Sequence, residues 1–308
     1  MTNFLSCDWG TSSFRLRAVD IDSLEVLSEI SNSEGCAATN EKWMEKVEDE
    51  AGRLKFYREI LNGHIHDLRE QSKVDTSNLP LVISGMASST IGMINLPYKQ
   101  IPFLADGSDL EVKQIGPVGK TFIISGVRTV DDVMRGEETK LIGCLDEDNG
   151  EQILVLPGTH PKHVYVRRKQ ITGFETYMTG EFFQLLSSES LLALSVQKHS
   201  GFEEDAFASG VRAGSSENLL HGSFLVRTNA LFQKYSPEEN SDYLSGLLIG
   251  CELKDLINPT CPITLLGTGK LATLYQKGFA ALSIAISQQA DADRALIKGQ
   301  QKVLKLMA

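Results

Sequence analysis

Short runs in the first third of the chain alternate between apolar and polar positions. This alternation predicts strands, because successive side chains of a strand point to opposite faces. Residues 3–8, 13–20 and 24–31 therefore predict three antiparallel strands joined by turns. Apolar residues at helical spacing predict a helix over 41–72, and the apolar run 80–86 predicts a buried strand. The start of the chain is expected to form a sheet with a helix beside it.

Prolines and glycines break any period between residues 94 and 118, so this stretch predicts an irregular excursion. A short strand over 121–127 and a helix over 134–145 follow. The opening pattern then begins again, because a second Gly-Thr turn at 158–159 interrupts a second hairpin as Gly10-Thr11 interrupts the first. The remaining predictions are helices over 180–198 and 241–257, a strand over 262–267, a helix from 270, a strand over 282–286 and a helix over 291–306.

This repetition predicts two similar α/β halves with an active site between them. The halves divide into residues 1–133 and 134–308, and the last helix is expected to pack back on the first half. At 308 residues the chain is long enough for two domains with cores of their own.

Charge and composition narrow the classes of partner. The formal net charge of −10 argues against nucleic acid or an anionic membrane, because both attract basic surfaces. No apolar run reaches the length of a membrane span, and the N-terminus does not have the pattern of a signal peptide. Five cysteines without a Cys-x-x-Cys pair predict reduced thiols. We expect a cytoplasmic protein, and the sequence leaves a homodimer open.

Both Gly-Thr turns have chemistry that suits phosphate. A turn of glycine and hydroxyl residues presents backbone N–H groups and hydroxyls without a bulky side chain in the way, and such a nest binds phosphate oxygens. Asp8, at the end of the first strand, offers the carboxylate oxygen that Mg²⁺ prefers. The alternative is a pair of ordinary hairpin turns with Asp8 capping its own turn. The repetition favours phosphate binding.

His160 and Lys162 follow the second turn, and alternation places them on one side of the strand. Because they lie close to a predicted phosphate site, both are candidates for binding phosphate. The alternative is that His160 has only a structural role and that Lys162 is an ordinary surface charge.

The helix over 134–145 contains two adjacent acids. Glu138 falls in the apolar stripe of Met134, Leu141 and Leu145, and Glu137 lies about 100° away. A carboxylate in an apolar stripe is costly unless it has a partner or a task. The alternative is that both glutamates only complement the helix N-terminus.

These motifs resemble those of the 2-dehydro-3-deoxygalactonokinase family, in the superfamily of sugar kinases, actin and the heat-shock chaperone ATPases. The similar segments span nearly the whole chain in the family's order: DWGTSSFRL (8–16), VMRGEETKLIG (133–143), LPGTHPKHV (156–164), MTGE (178–181), SGLLIG (245–250) and GTGKLATLYQKGF (267–279). The resemblance implies an α/β protein of two ribonuclease-H-like (actin-like ATPase) domains with an active-site cleft between them. It also implies ATP, Mg²⁺ and phosphorylation of 2-dehydro-3-deoxy-D-galactonate on its terminal hydroxyl, giving the 6-phosphate in galactonate catabolism.

The resemblance also implies roles for particular residues. Asp8 would lie near Mg²⁺, and an acid would act on the sugar hydroxyl, with Glu138 preferred and Glu137 or Asp132 next. One departure is His163, where the family usually has an aromatic residue. The implied ATP-binding residues are Asp8, Gly10, Thr11, Ser12, Gly158, Thr159, His160, Lys162, Gly267 and Gly269. The candidate cations for the substrate carboxylate, chosen by proximity to the motifs, are Arg15, Arg128 and Arg135.

Two other functions stay open on the residues alone. An exopolyphosphatase-like phosphohydrolase would use the same acids to activate water, and its ATP turnover would not need a sugar. A nucleotide-switched binding protein would turn over slowly and bind a partner, although 308 residues leave little chain for a partner-binding domain.

Overall fold

The computed structural model describes residues 2–46, 50–72, 74–115, 120–145 and 150–307. The chain forms two compact units: unit 1 comprises Met1–Gly150, Arg167–Gly173 and Ala292–Ala308, and unit 2 comprises Glu151–Val166 and Phe174–Asp291. The strands are β1 (Asn3–Trp9), β2 (Phe14–Asp20), β3 (Val26–Asn32), β4 (Leu81–Gly85), β5 (Lys99–Gln100), β6 (Phe103–Leu104), β7 (Val112–Ile115), β8 (Thr121–Ile124), β9 (Val127–Arg128), β10 (Val133–Met134), β11 (Glu151–Leu156), β12 (Lys162–Arg167), β13 (Gln170–Thr176), β14 (Ile263–Leu266) and β15 (Gln288–Ala290). The helices are α1 (Cys36–Met44), α2 (Glu50–Ser72), α3 (Glu137–Cys144), α4 (Thr179–Ser188), α5 (Glu204–Ser216), α6 (Leu219–Leu231), α7 (Pro237–Leu253), α8 (Gly269–Ala281) and α9 (Ala292–Met307).

The main sheet of unit 1 has the order β3-β2-β1-β4-β8-β7. Strand β1 pairs antiparallel with β2 and parallel with β4, and β4 pairs parallel with β8. Helix α2 packs against β2 and β3, and its apolar side joins a core that contains Trp9, Phe14 and Tyr57. The carboxyl ends of the parallel strands β1 and β4 therefore meet at one edge of this sheet.

Unit 1 also contains α3 and α9, which pack against each other. The two helices come close because Gly143 lies directly against the backbone of Ala295 and Gly299. The predicted boundary between residues 133 and 134 would place α3 in the second half of the chain. In the structure, α3 belongs to unit 1. In the small sheet of unit 1, β10 pairs with β9 and β9 pairs with β5.

In unit 2 the strands follow the order β13-β12-β11-β14-β15, and β14 runs parallel to both β11 and β15. This repeats the order β3-β2-β1-β4-β8 of unit 1 and confirms the expectation of two similar α/β halves. The first residues of β13, which belong to unit 1, pair with β6. A core built around Phe207, Ile249 and Phe279 lies between the strands and the helices α5, α7 and α8.

Several helix and strand predictions were wrong in detail. The helix predicted over 41–72 is two helices, α1 and α2, and residues 47–49 lie outside the described residues. The helix predicted over 180–198 ends at Ser188 and is followed by a 3₁₀ turn, Leu191–Leu194, whose N-cap is Ser190. The apolar run 282–286 is not a strand; the strand comes later, at Gln288–Ala290.

Candidate active site

Strand β1 ends in two residues that face opposite ways. Trp9 is buried, packs edge-on against Phe14 at 5.1 Å between ring centroids, and donates from Nε1 to the carbonyl of Glu34 at 3.1 Å. Asp8, the preceding residue, is half-buried, because alternation turns it to the other face. Trp9 thus anchors the strand end in the core, and Asp8 stays accessible to a ligand.

The turn after β1, which we call loop 1, comprises Gly10–Ser13. The Gly10 N–H donates to the carbonyl of Ser13 at 2.9 Å, which closes the turn. The Gly10 and Thr11 carbonyls accept from Cys36 and Ala37 at 2.9 and 3.0 Å, at the start of α1. The residues from Thr11 to Ser13 are exposed, so loop 1 is held from behind and presents its hydroxyl side to solvent.

Gly85, at the end of β4, lies between Asp8 and the start of α3. A Cβ on Gly85 would lie 3.5 Å from Oδ1 of Asp8, and a Cβ on Gly136 would lie 3.2 Å from Cα of Gly85. Both glycines have a positive φ, +94° and +111°, which side-chain-bearing residues rarely adopt. The two glycines thus let the acids of α3 approach the strand that carries Asp8.

Glu138 is fully buried at the start of α3. Its Oε2 accepts from the Gly136 N–H at 2.7 Å, and its Oε1 accepts from the Thr139 hydroxyl at 3.1 Å. Burial, and secondly the charge of Glu137, raises the pKa of Glu138 to about 7. The inward orientation expected from the apolar stripe is therefore confirmed, and the carboxylate also caps its own helix.

Glu137 has a different environment. It is half-buried, and its Oε2 accepts from the Arg135 N–H at 3.1 Å. Both glutamates therefore bind N–H groups that precede the helix, as the alternative based on the helix N-terminus expects. Glu137 is the one with surface that a ligand can reach.

Asp132 lies in the turn between β9 and β10. Its Oδ1 accepts from the Val133 N–H at 2.7 Å, and its own N–H donates to the Thr129 hydroxyl at 2.8 Å. The Asp132 carboxylate therefore stabilises its own turn.

The three candidate arginines all lie in unit 1 but have different partners. Arg15 forms an ion pair with Asp293 at 2.7 Å. Arg135 donates to the Ser88 hydroxyl at 2.7 Å and stacks over the Tyr98 ring at 4.1 Å. Arg128 is exposed and donates from Nε to the Thr129 carbonyl at 3.0 Å. Of the three, Arg128 has the guanidinium most open to a ligand carboxylate.

The second Gly-Thr turn, which we call loop 2, comprises Gly158–His160 in unit 2. The Thr159 carbonyl accepts from the Gly180 and Glu181 N–H groups at 3.1 and 3.2 Å, at the start of α4. A Cβ on Gly180 would lie 2.7 Å from the Cα of Thr159, so only glycine fits this approach. Loop 2, like loop 1, is held by a helix N-terminus.

The two basic residues of loop 2 and β12 do not lie side by side on a phosphate surface. His160 is half-exposed and its Nε2 lies 2.6 Å from Oε2 of Glu181. Lys162 is buried, only 3% exposed, and its Nζ donates to the His160 carbonyl at 2.8 Å. His160 therefore lies at the surface beside Glu181, whereas Lys162 supports the loop from inside.

A pocket of about 310 Å³ opens beside loop 2 within unit 2. Gly158 and Thr179 line one end, and Leu248, Leu271 and Leu274 supply apolar walls. The turn at 267–269 leads into α8, whose Leu271 and Leu274 line the pocket: Gly269 begins α8 with a φ of +63°, and a Cβ on Gly267 would lie 3.4 Å from the Pro157 ring. The turn predicted to bind adenosine therefore lies next to loop 2.

A buried polar cluster behind the pocket was missed from the sequence. Glu252, 2% exposed at the end of α7, lies 3.2 Å from Nε2 of His163 and accepts from the Tyr275 hydroxyl at 2.6 Å and from the Thr179 hydroxyl. It thus joins β12, α8 and the start of α4. The segment MTGE contains Thr179 and the segment SGLLIG ends two residues before Glu252, and these segments were the available signal.

Within the described residues, no group of three or more His, Cys, Asp or Glu side chains could hold a metal ion by itself. A single carboxylate at Asp8 fits Mg²⁺, which proteins usually hold through one or two carboxylates together with substrate phosphates. The five cysteines are free thiols. In the same described ranges, no helix is both long and apolar enough to cross a membrane.

Comparisons with known proteins agree with this arrangement. A family model described as 2-keto-3-deoxy-galactonokinase matches residues 8–303. A probable 2-dehydro-3-deoxygalactonokinase of Rhizobium meliloti is 30% identical over 317 residues, 96% of this chain and 94% of the relative. The 2-dehydro-3-deoxygalactonokinase of Escherichia coli is 34% identical over 218 residues, 68% of this chain and 73% of the relative.

Among solved structures, a candidate 2-dehydro-3-deoxygalactonokinase from Sinorhizobium meliloti superposes with a TM-score of 0.81 at 29% identity, covering 96% of this chain and 94% of its own. An ADPNP-bound activator of 2-hydroxyisocaproyl-CoA dehydratase from Clostridium difficile shares the fold, with a TM-score of 0.51 at 8% identity, covering 99% of this chain and 94% of its own. The chain therefore has the α/β fold class of these two solved structures. Within that class, the chain belongs to the 2-keto-3-deoxy-galactonokinase family, because the family model covers nearly all of it. The resemblance of the motifs is confirmed, and kinase activity is supported over both alternatives.

Proposed function

We propose that the protein transfers the γ-phosphoryl group of ATP to the terminal hydroxyl of 2-dehydro-3-deoxy-D-galactonate, giving the 6-phosphate in galactonate catabolism. The observation that carries this proposal is the family match over 8–303 together with the two loops that hold its Gly-Thr turns. Phosphoryl transfer asks a protein mainly for positioning and charge stabilisation, which rigid loops of N–H groups and hydroxyls supply. The free thiols suit the reducing cytoplasm.

The pocket in unit 2 would hold the adenosine of ATP. Its volume of about 310 Å³ lies at the lower end of the range for small-molecule sites, and its apolar leucine walls suit a purine. Loop 2 lines one end of the pocket, so a phosphate chain that leaves adenosine there would meet Gly158 and Thr159 first. The turn with Gly267 and Gly269 would border the adenosine.

Mg²⁺ would be held by Asp8, and when bound it neutralises phosphate charge. Asp8 is half-buried beside loop 1, and Gly85, which has no side chain, lets the start of α3 come close to it. The exposed hydroxyls of Thr11 and Ser12 would orient the phosphate that is transferred. Loop 1 keeps this geometry because α1 fixes its carbonyls.

One of the two glutamates of α3 would accept the proton of the sugar hydroxyl. A general base works best with a pKa near the working pH, and the pKa of Glu138 is about 7. The sequence prefers Glu138, but Glu138 has no exposed surface whereas Glu137 is half-buried. We therefore assign the contact with the hydroxyl to Glu137, with Glu138 as its buried neighbour and Asp132 as the third candidate.

Arg128 would pair with the carboxylate of the sugar acid, because its guanidinium is exposed and the other two arginines have partners inside unit 1. The described part of the predicted excursion, residues 94–115, would cover the sugar, and residues 116–118 of that excursion lie outside the described residues.

The test is the rate of ADP release by the purified enzyme with ATP and Mg²⁺, measured with and without a panel of 2-keto-3-deoxy sugar acids. We expect release to depend on the sugar and to be fastest with the galactonate derivative. Equal rates without sugar would indicate a phosphohydrolase, and slow turnover that no sugar acid accelerates would indicate a nucleotide switch.

A further inference from the structure

An apolar groove lies on unit 2, and it shares no lining residue with the pocket assigned to adenosine. It has a volume of about 270 Å³, and all of its lining residues are leucine, phenylalanine or serine. Four of them are large and exposed: Phe182 on α4, Leu191 in the 3₁₀ turn, and Leu220 and Phe224 on α6. We call this groove, together with the exposed side of α6 that carries Leu220 and Phe224, the α4–α6 surface.

Helix α6 explains why the surface exists. Gly222, Val226 and Asn229 bury one side of the helix. Leu220, Phe224 and Leu231 are spaced i, i+4 and i+11, so they form a stripe on the exposed side. A helix that is apolar all round is normally covered on all sides. The exposed side of α6 is therefore expected to have a partner.

The exposed area matches the core of a protein interface. Taking about 200 Å² for a fully exposed leucine or phenylalanine, the four residues around the groove present roughly 450 Å² to solvent. Leu220 alone is 84% exposed. A standard interface buries about 800 Å² on each partner, of which a little over half is apolar. A contiguous apolar patch of this size lies within the range of about 300–600 Å² for the largest patch on a typical monomer, and such patches are often functional.

Charge selects a second copy of the chain as the occupant. A two-fold dimer places one patch against the same patch of its partner, so charges at its centre would meet like charges. The chain has a net charge of −10, yet no residue lining the groove is charged. The arginine of α6, Arg227, is half-buried and donates to the Ser195 hydroxyl at 3.1 Å. We propose that the α4–α6 surface is the interface of a homodimer.

The test is sedimentation velocity of the full chain over a micromolar concentration range. We expect the wild type to be a dimer and the double variant Leu220→Glu, Phe224→Glu to be a monomer. Each substitution occurs twice in a two-fold dimer, so the dissociation constant should rise at least about 100-fold. The matched control is Met44→Glu, which places the same charge at a 71% exposed apolar residue of unit 1. It should stay a dimer.

Unchanged melting temperatures of both variants would show that they are folded, because all three positions are exposed. If the double variant does not fold, Phe182→Glu on α4 tests the same surface from another helix. A monomeric wild type overturns the proposal and leaves the surface to a different protein. A double variant that dimerises like Met44→Glu overturns it as well, because the interface then lies elsewhere.

Discussion

Replacing Glu138 by glutamine should change how the stability of unit 1 depends on pH. The side chain is fully buried, and its pKa in the folded protein is about 7, against an ordinary value of 4.5. A glutamine at this position cannot titrate, but its side-chain carbonyl can still accept from the Gly136 N–H. The substitution thus removes the charge and keeps the shape.

The sign follows from where the proton is held. Between pH 4.5 and about 7 the folded protein keeps the proton on Glu138, whereas the unfolded chain has released it. The contribution of this group to stability is therefore fully present below pH 4.5 and is lost as the pH rises through about 7. The difference between a pKa of 4.5 and one of about 7 corresponds to about 3 kcal/mol in the free energy of unfolding.

The assay is urea unfolding followed by tryptophan fluorescence at about pH 5 and about pH 8. Both tryptophans of the chain, Trp9 and Trp43, lie in unit 1, so the signal reports the unit that contains Glu138. Relative to wild type, the free energy of unfolding of Glu138→Gln should gain about 2.5 kcal/mol between the two pH values, because at pH 5 the wild type has already lost part of the contribution. The control is Glu137→Gln, which leaves the buried Glu138 carboxyl in place, so most of the pH dependence that burial of Glu138 causes should remain.

Parallel pH profiles for wild type and Glu138→Gln would refute the reasoning. They would mean that burial does not raise the pKa of this carboxyl, and that its charge is compensated in the folded state.

Three further substitutions test the site. Asp8→Asn should lower kcat at least about 100-fold in a folded enzyme, because metal positioning is lost, and a near-normal kcat at saturating Mg²⁺ would contradict this assignment. Glu137→Gln should lower kcat roughly 10²–10⁴-fold with little change in the KM for the sugar, and Glu138→Gln should lower kcat by a smaller factor. If steady-state kinetics give the reverse ranking, the base is Glu138. If both variants are active, the base is Asp132. Gly180→Ala should raise the KM for ATP roughly tenfold without changing the KM for the sugar, because its Cβ would meet Thr159 at 2.7 Å. The control is Gly63→Ala, whose Cβ would have nothing within 4 Å. An unchanged KM for ATP in Gly180→Ala would show that loop 2 does not bind the nucleotide.

Local sequence patterns predicted the strands and helices that bury either one face or all of their side chains. Strands β1 and β2 and the turn between them follow directly from the alternation around loop 1. Helix α3 was found because its apolar stripe is regular, and the same stripe predicted that Glu138 is buried. Family motifs located both loops and the turn before α8.

The rest depended on contacts between distant segments. Helix α6 has apolar residues on both sides, so it has no periodicity that the sequence could show. Alternation put Lys162 on the side of His160, but it could not show that the side chain is buried beneath the loop. Glu252 meets residues 73 and 89 positions away in the chain, and no spacing rule anticipates such a cluster.

The most direct test of the central claim is the identity of the product. Purified enzyme, ATP, Mg²⁺ and 2-dehydro-3-deoxy-D-galactonate can be followed by phosphorus NMR as the reaction proceeds. We predict that ADP and one new phosphate monoester, on the terminal carbon of the sugar acid, appear in equal amounts. Inorganic phosphate accompanied by unchanged sugar acid, or a phosphate on another hydroxyl, would contradict the proposed function.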